Sequence, residues 1–399
     1  MKDAVKLIVA YNKNLSDERR RQKYRALQES LLRFYRGTCH LFYDRLHALG
    51  APEDSTRVWI CGDLHLENFG SFRGDDGLVY FDVNDFDEAV KAPLSWEVAR
   101  FITAIIISRQ TLGYTEKESL KIAKLALRQY VESIRTMKAL IVQHDSARGL
   151  MKDFFERATD RSRADFIDSV TKADGKKRKF ILDGIHLEAI GRKQHDRLMK
   201  KLPGMLAATP HIAEWRFKVE DCCCRLAGTG SIGVERYAIL LKRKDTGKYY
   251  ILDMKQARRS SLLSNLKTSQ PKWKNEADRI IRIQRLMQFF PPALLDHVRL
   301  DGKDFVLKEL QPVRNKMDFE LCRGRLDHME DVISTMAQIA AWTHLRSTGR
   351  LSTSTADDLA ALTGSPRWQK SIYALSVQLA SQTERDYASF KEYRGAAKS

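Results

Sequence analysis

Apolar residues recur at helix spacing through residues 1–57. Tyr24, Leu27, Leu31, Leu32 and Tyr35 follow a helix start at Ser16-Asp17-Glu18, and a second run, Cys39 to Leu49, ends at Gly50 ahead of Pro52. The period then changes. Val58-Trp59-Ile60 and Leu78-Val79-Tyr80-Phe81 are short apolar runs of strand type, separated by the turn residues Gly74-Asp75-Asp76-Gly77. Helical spacing returns from Trp96 to Leu112 and from Thr115 to Arg135, the latter with acids in its first turn, where the helix dipole favours them. Residues 145–200 are rich in Lys, Arg and Asp. They predict helices with basic connections, a turn over Thr171–Lys179, and solvated His186 and His195.

From Phe217 the pattern is that of strands. Phe217–Cys222 leads to Arg225, and Tyr237–Lys242 and Tyr249–Lys255 follow across a turn at Asp245–Lys248, which predicts three antiparallel strands. Between the first two lies Gly228-Thr229-Gly230-Ser231-Ile232-Gly233. A strand, not a helix, follows these glycines, which argues against a dinucleotide-binding βαβ unit. It favours a glycine-rich hairpin of the kind that covers nucleotide phosphates. Asn275 to Phe290 predicts a helix stopped by Pro291-Pro292, and Val298–Leu300 with Phe305–Leu310 predicts a hairpin. Asp331–Leu345 is an apolar helix in which His344 reads as structural. A Ser/Thr-rich linker, Ser347–Thr355, precedes a last helix around Ile372–Tyr393.

The chemistry-bearing residues cluster after the two early strands. The first group is Gly62-Asp63-Leu64-His65-Leu66-Glu67-Asn68 and the second Asp82-Val83-Asn84-Asp85-Phe86-Asp87-Glu88. An Asp and an Asn five apart on one loop, then a carboxylate beyond the next hairpin, suit phosphoryl transfer. The first Asp takes the proton of an attacking hydroxyl, while the Asn and the later Asp hold Mg²⁺ on nucleotide phosphates. Asp63 is the candidate base, with Asn68 and Asp85 as metal ligands and Asp82 competing with Asp85. Arg36 is a candidate for an ion pair or a phosphate contact, the former preferred.

Composition adds limits. The net charge is +18, from 69 basic and 51 acidic residues among 399. The basic residues fall in short clusters such as Arg19–Arg21 and Lys242–Lys244. They read as solvated faces rather than a nucleic-acid surface. The six cysteines include no C-x-x-C pair, which argues against a zinc or disulfide framework. No apolar run is long enough to span a membrane and no signal peptide is legible, so a cytoplasmic location is expected.

The order FYRG, GDLHLENFG, FDVNDFDEA, distal glycine loop, MKQA and late AWTHLRS helix resembles a bacterial family, domain-of-unknown-function family 2252, described as kinase-like or uncharacterised. The resemblance covers nearly the whole chain. The two acidic motifs are also similar to those of aminoglycoside- and choline-kinase-type phosphotransferases. It implies an α+β, protein-kinase-like two-lobe fold, with a small antiparallel β lobe and a larger helical lobe. The motif order is circularly permuted, cut between the helix ending near His344 and the strand before Gly62. The parts expected are N-terminal helices (1–57), a catalytic and metal segment with helices (58–215), a nucleotide-binding β lobe (216–315) and completing helices (316–399). Gly228, Gly230, Ser231, Gly233 and Lys255 would hold ATP phosphates, and Glu309 to Pro312, beginning with Glu309 and Leu310, would be the hinge touching adenine through its backbone. Glu276 is the available acid for Lys255, although Arg279, Arg282 and Arg285 occupy the middle of that helix. The expected function is ATP- and Mg²⁺-dependent transfer to a hydroxyl of a small molecule or protein. Nucleotidyl transfer, or a nucleotide-binding pseudokinase scaffold with a basic surface for a protein or nucleic acid, are the alternatives.

Overall fold

Side-chain caps open the N-terminal helices. In the computed structural model, which describes residues 3–394 apart from 53, 144, 146, 161, 176, 311 and 313–316, Asp3, Ser16 and Ser30 accept from first-turn amides of α1 (Ala4–Tyr11), α2 (Asp17–Glu29) and α3 (Leu31–Gly37). Helix α4 (Cys39–Leu49) follows and stops at Gly50. The next strands are β1 (Val58–Ile60), the hairpin β2 (Phe69–Arg73) with β3 (Val79–Val83), and β4 (Val90–Ala92), which returns to pair antiparallel with β1. Helix α5 (Leu94–Ile107) is buried along its whole length. Short α6 (Arg109–Leu112) leads to α7 (Glu116–Arg135), opened by a Thr115–Glu118 capping box.

Helices α8 (Gly149–Asp160) and α9 (Arg163–Val170) come next, α8 burying Phe154 and Phe155. The expected turn over Thr171–Lys179 is instead a hairpin of β5 (Thr171–Asp174) and β6 (Lys177–Phe180), anchored at its base by buried Thr171 and Phe180. The two histidines expected to be solvated each meet a carboxylate, His186 at Asp183 and His195 at Asp221, both at 3.0 Å.

A six-stranded antiparallel sheet is assembled from β7 (Leu187–Glu188), β8 (Phe217–Arg225), β9 (Arg236–Arg243), β10 (Tyr249–Gln256), β11 (Asp296–Leu300) and β12 (Lys303–Glu309), in the order β11-β12-β10-β9-β8-β7. Strand alternation divides its side chains between two covered faces. Ile239, Leu241, Leu252 and Met254 pack on Leu198 and Leu202 of α10 (Arg192–Ala207), which is followed by α11 (Pro210–Ala213). Ala238, Leu240 and Ile251 pack on Ile167 of α9 and Phe180 of β6. Burial on both faces explains why these strands read as nearly continuous apolar runs.

The remaining helices are α12 (Glu276–Met287), α13 (Leu326–Arg346), α14 (Ala356–Gly364) and α15 (Pro366–Lys391). The largest core forms where α13 lies on α7 and α15 on α5. Capping by Ser365, with Pro366 at the first helical position, starts α15 ahead of the expected Ile372. The chain is thus a mixed α+β protein with small antiparallel sheets, and no described helix is long and apolar enough to cross a membrane.

Candidate functional site

The loop after β1 is shaped by a buried carboxylate. Glu97 of α5 accepts from the amides of Cys61 (3.1 Å) and Gly62 (2.7 Å), and His344 Nε2 lies 3.0 Å from the same group. Tyr130 of α7 closes the chain at 2.7 Å from His344 Nδ1, and the whole set is buried. His344 is therefore structural, as its helix position suggested. Gly62 has φ +82°, and a Cβ there would run into the Glu88 carbonyl, so this turn requires glycine.

Asp63 emerges from that turn partly exposed. Arg100 Nε donates to its Oδ1 at 2.9 Å, and the same guanidinium lies over the Tyr35 ring at 4.2 Å. Burial pushes the Asp63 carboxyl above the usual carboxylate range, with Arg100 opposing the shift. Asn68 spans the two acidic loops: its Nδ2 donates to the backbone carbonyls of Asp63 (3.0 Å) and Asp85 (3.4 Å). That leaves Asn68 Oδ1 buried with no partner among the described residues. Arg36 takes the ion-pair role, at 2.7 Å from Glu67.

The second acidic loop separates the two metal candidates. Asp82 is buried, pairs with Arg346 at 2.9 Å and accepts from the Phe289 amide at 3.3 Å. Its carboxylate is thus committed to joining β3 to α13 and is not brought to the lysine cluster. Asp85 is half-exposed, 3.4 Å from Lys255 Nζ, and Asp87 lies 2.5 Å from the same amine. Burial alone would raise Asp85, but Lys255 and Lys308 outweigh it and hold the carboxyl low, at about 2. Burial and the neighbouring Asp85 charge push Asp87 up. Lys308, on β12, donates to Asn84 O (3.0 Å) and Oδ1 (3.2 Å), and burial lowers its amine to about 8.

Helix α12 serves this loop differently from expectation. Glu276 pairs with Arg279 at 2.7 Å, not with Lys255. Arg279 is almost fully buried and donates to the carbonyls of Asp87 (2.8 Å), Arg258 (2.9 Å) and Ala89. The carboxylates facing Lys255 therefore come from the acidic loop itself. Asp87, Lys308 and Arg279 were missed as site residues. Asp87 had a signal, two residues beyond Asp85, while the other two depend on a strand register and a helix rotation that spacing does not specify.

The glycine loop joins β8 to β9. Two of its turns close through Ser231 and Val234 amides donating to the Gly228 and Ser231 carbonyls. Gly233 has φ +87° and room for no Cβ against Leu15, and a Cβ on Gly230 would come within 3.5 Å of the Arg36 carbonyl. The loop is thus seated on the N-terminal helices. Across the ladder, Arg236 stands opposite Lys255, while Arg225 and Arg236 both reach Asp253 at 2.8 Å.

The proposed hinge is not free. The Glu309 and Leu310 amides donate to the Ala293 (2.7 Å) and Ile251 (2.8 Å) carbonyls. The Glu309 side chain pairs with Arg163 at 2.5 Å, and Leu310 is buried against Ile167 and Phe180. Neither amide of Glu309 and Leu310 is therefore left as a donor for adenine. The rest of that segment includes residue 311, which lies outside the described residues.

No three His, Cys, Asp or Glu side chains among the described residues form a self-sufficient metal cage. Mg²⁺ seldom needs one, taking one or two protein oxygens with phosphates and water. The unpartnered Asn68 oxygen and the half-exposed Asp85 suit that demand. A family model described as an uncharacterized protein conserved in bacteria (DUF2252) matches residues 16–393, and the chain belongs to that family. Comparison with curated proteins and with solved structures finds no match.

Proposed function

We propose that this member of the DUF2252 family is an ATP- and Mg²⁺-dependent phosphotransferase of circularly permuted, protein-kinase-like two-lobe fold, acting on a hydroxyl of a small molecule or protein. The observation that carries this reading is Asn68: its amide nitrogen ties the Asp63 loop to the Asp85 loop and leaves its oxygen buried without a partner. Asn68 Oδ1 and Asp85 would hold Mg²⁺, which supplies positive charge against the transferring phosphoryl group.

Asp63 takes the proton of the acceptor hydroxyl. Its raised affinity for a proton makes it a stronger base than a solvated carboxylate, and Arg100 engages Oδ1, which leaves Oδ2, 3.9 Å from His65 Nε2, for the acceptor. Lys255 and the glycine loop neutralise and cover the phosphates. Lys255 faces Asp85 and Asp87, and Lys308 lies beside them at Asn84, so two amines are at hand for phosphate oxygens. Nucleotidyl transfer would use the same groups.

A nucleotide-binding scaffold is the second reading, favoured by the buried Arg100 that ties up one oxygen of Asp63. The two separate in one experiment: thermal unfolding with ATP, with and without Mg²⁺, on wild type and Asp85→Asn, followed by turnover of labelled ATP. Ligand at a hundred times its Kd stabilises by about 2.7 kcal/mol. Mg²⁺-dependent stabilisation lost in Asp85→Asn, together with turnover, supports the transferase. Mg²⁺-independent binding without turnover supports the scaffold, and no shift with any nucleotide removes both.

A further inference from the structure

A cavity of about 350 Å³ opens beside the glycine loop, between the β8–β9 connection, the start of α10 and α2. That volume is within the range of small-molecule sites. Leu226, Ile190 and Val234 give it apolar walls, and Gln22, Gln194 and Ser231 give it donors and acceptors. Arg236, directly across the ladder from Lys255, forms part of its boundary. The cavity is therefore one strand position from the amine that faces Asp85 and Asp87.

The structure assigns this cavity to a purine base: we infer that the nucleoside end of the substrate enters here, and not at the end of β12. The inference rests on the nucleotide reading above and goes further by relocating the base. Two observations carry it. At the described start of the β12 exit the amides of Glu309 and Leu310 are both spent on protein carbonyls, Arg163 clamps the Glu309 side chain, and Ile167 and Phe180 cover Leu310. The cavity's charged side chains, by contrast, each already have a partner. Arg19 meets Glu188 at 3.5 Å, Arg225 and Arg236 share Asp253, and Glu235 pairs with Lys303. A wall with its charges so paired suits a neutral, flat ligand with hydrogen-bonding edges better than a polyanion. Gln194 Nε2 already donates to the Tyr237 hydroxyl and Gln22 Oε1 accepts from Arg19, both at 2.9 Å, so the Gln194 oxygen and the Gln22 amide nitrogen are what the glutamines offer such an edge.

The test is calorimetric titration of the full chain with two half-ligands, adenosine and Mg²⁺-tripolyphosphate, on wild type, Ile190→Trp, Gln194→Ala and Asp85→Asn. The expected result is at least a tenfold loss of adenosine affinity in Ile190→Trp and Gln194→Ala, with tripolyphosphate binding kept, which also reports an intact fold. Unchanged adenosine affinity in both variants, or no adenosine binding by wild type at millimolar concentration, overturns the assignment. So does loss of tripolyphosphate in place of adenosine, which would make the cavity a phosphate site. Tripolyphosphate binding that survives in Asp85→Asn counts against the metal and phosphate reading alone, leaving the adenosine arm to decide the base site.

Discussion

Arg100 has Asp63 as its carboxylate partner, Nε to Oδ1 at 2.9 Å, and otherwise lies among the rings of Tyr35 and Phe42. The residue proposed as base is also the counter-charge of a fully buried guanidinium. On that proposal, function and stability are coupled at one side chain.

Removing that carboxylate leaves the guanidinium charged and uncompensated. Asp63→Ala is expected to lower the unfolding free energy by about 3–5 kcal/mol. Asp63→Asn, which retains an acceptor, should lose less stability yet abolish transfer. Urea titration beside an ATP-turnover assay checks both; equal stability losses in the two variants would contradict the ion-pair account.

Asp82 and Asp85, three residues apart, should fail differently. Asp82→Asn breaks the buried contact to Arg346 and is expected to cost about 3 kcal/mol while leaving Mg²⁺-dependent nucleotide stabilisation intact. Asp85→Asn should do the reverse, because its carboxylate is half-exposed and faces Lys255. Melting curves with and without Mg²⁺-ATP distinguish them.

Helix α12 gives a third prediction. Glu276→Gln should change turnover less than about threefold, roughly 0.6 kcal/mol, because Glu276 does not meet Lys255. Arg279→Leu strips the carbonyls of Asp87, Ala89 and Arg258 of their donor and should displace the acidic loop. A large turnover loss in Glu276→Gln would restore the acid-on-helix arrangement.

Lys23 predicts a pH effect. It is buried beneath Tyr11 with no ion-pair partner among the described residues, and burial lowers its amine to about 8. Between that value and about 10.4, the ordinary lysine value, the unfolded chain holds more protons than the folded one, so folding gains stability as pH rises. Lys23→Met is therefore expected to be more stable than wild type by about 3 kcal/mol at pH 7, with the difference shrinking toward pH 10. Parallel unfolding curves at several pH values test this, and a difference independent of pH would refute the assignment of its cause.

The parts legible in the sequence are those set by local pattern. The strand at Val58, the helices around Thr115 and Asn275 and the β8–β9–β10 meander follow from caps, turns and period. So does the pairing of Asp63 with Asn68 on one loop. What spacing could not supply is partner choice. That Lys255 meets Asp87, that Asp82 is drawn away by Arg346, and that Arg279 props the loop all depend on contacts between segments far apart in the chain. The partners of the expected hinge were hidden for the same reason: nothing near Glu309 in sequence announces Arg163 or the Ala293 carbonyl.

The Glu97 carboxylate gathers groups from β1, α5, α7 and α13 onto a single buried point. A local breath of the loop cannot expose the Cys61 and Gly62 amides without also parting helices that form the main core. Their hydrogens are expected to exchange with solvent only when the whole molecule opens, on the slow timescale of global unfolding. The strand exit that aims Asp63 is in that sense as long-lived as the fold itself.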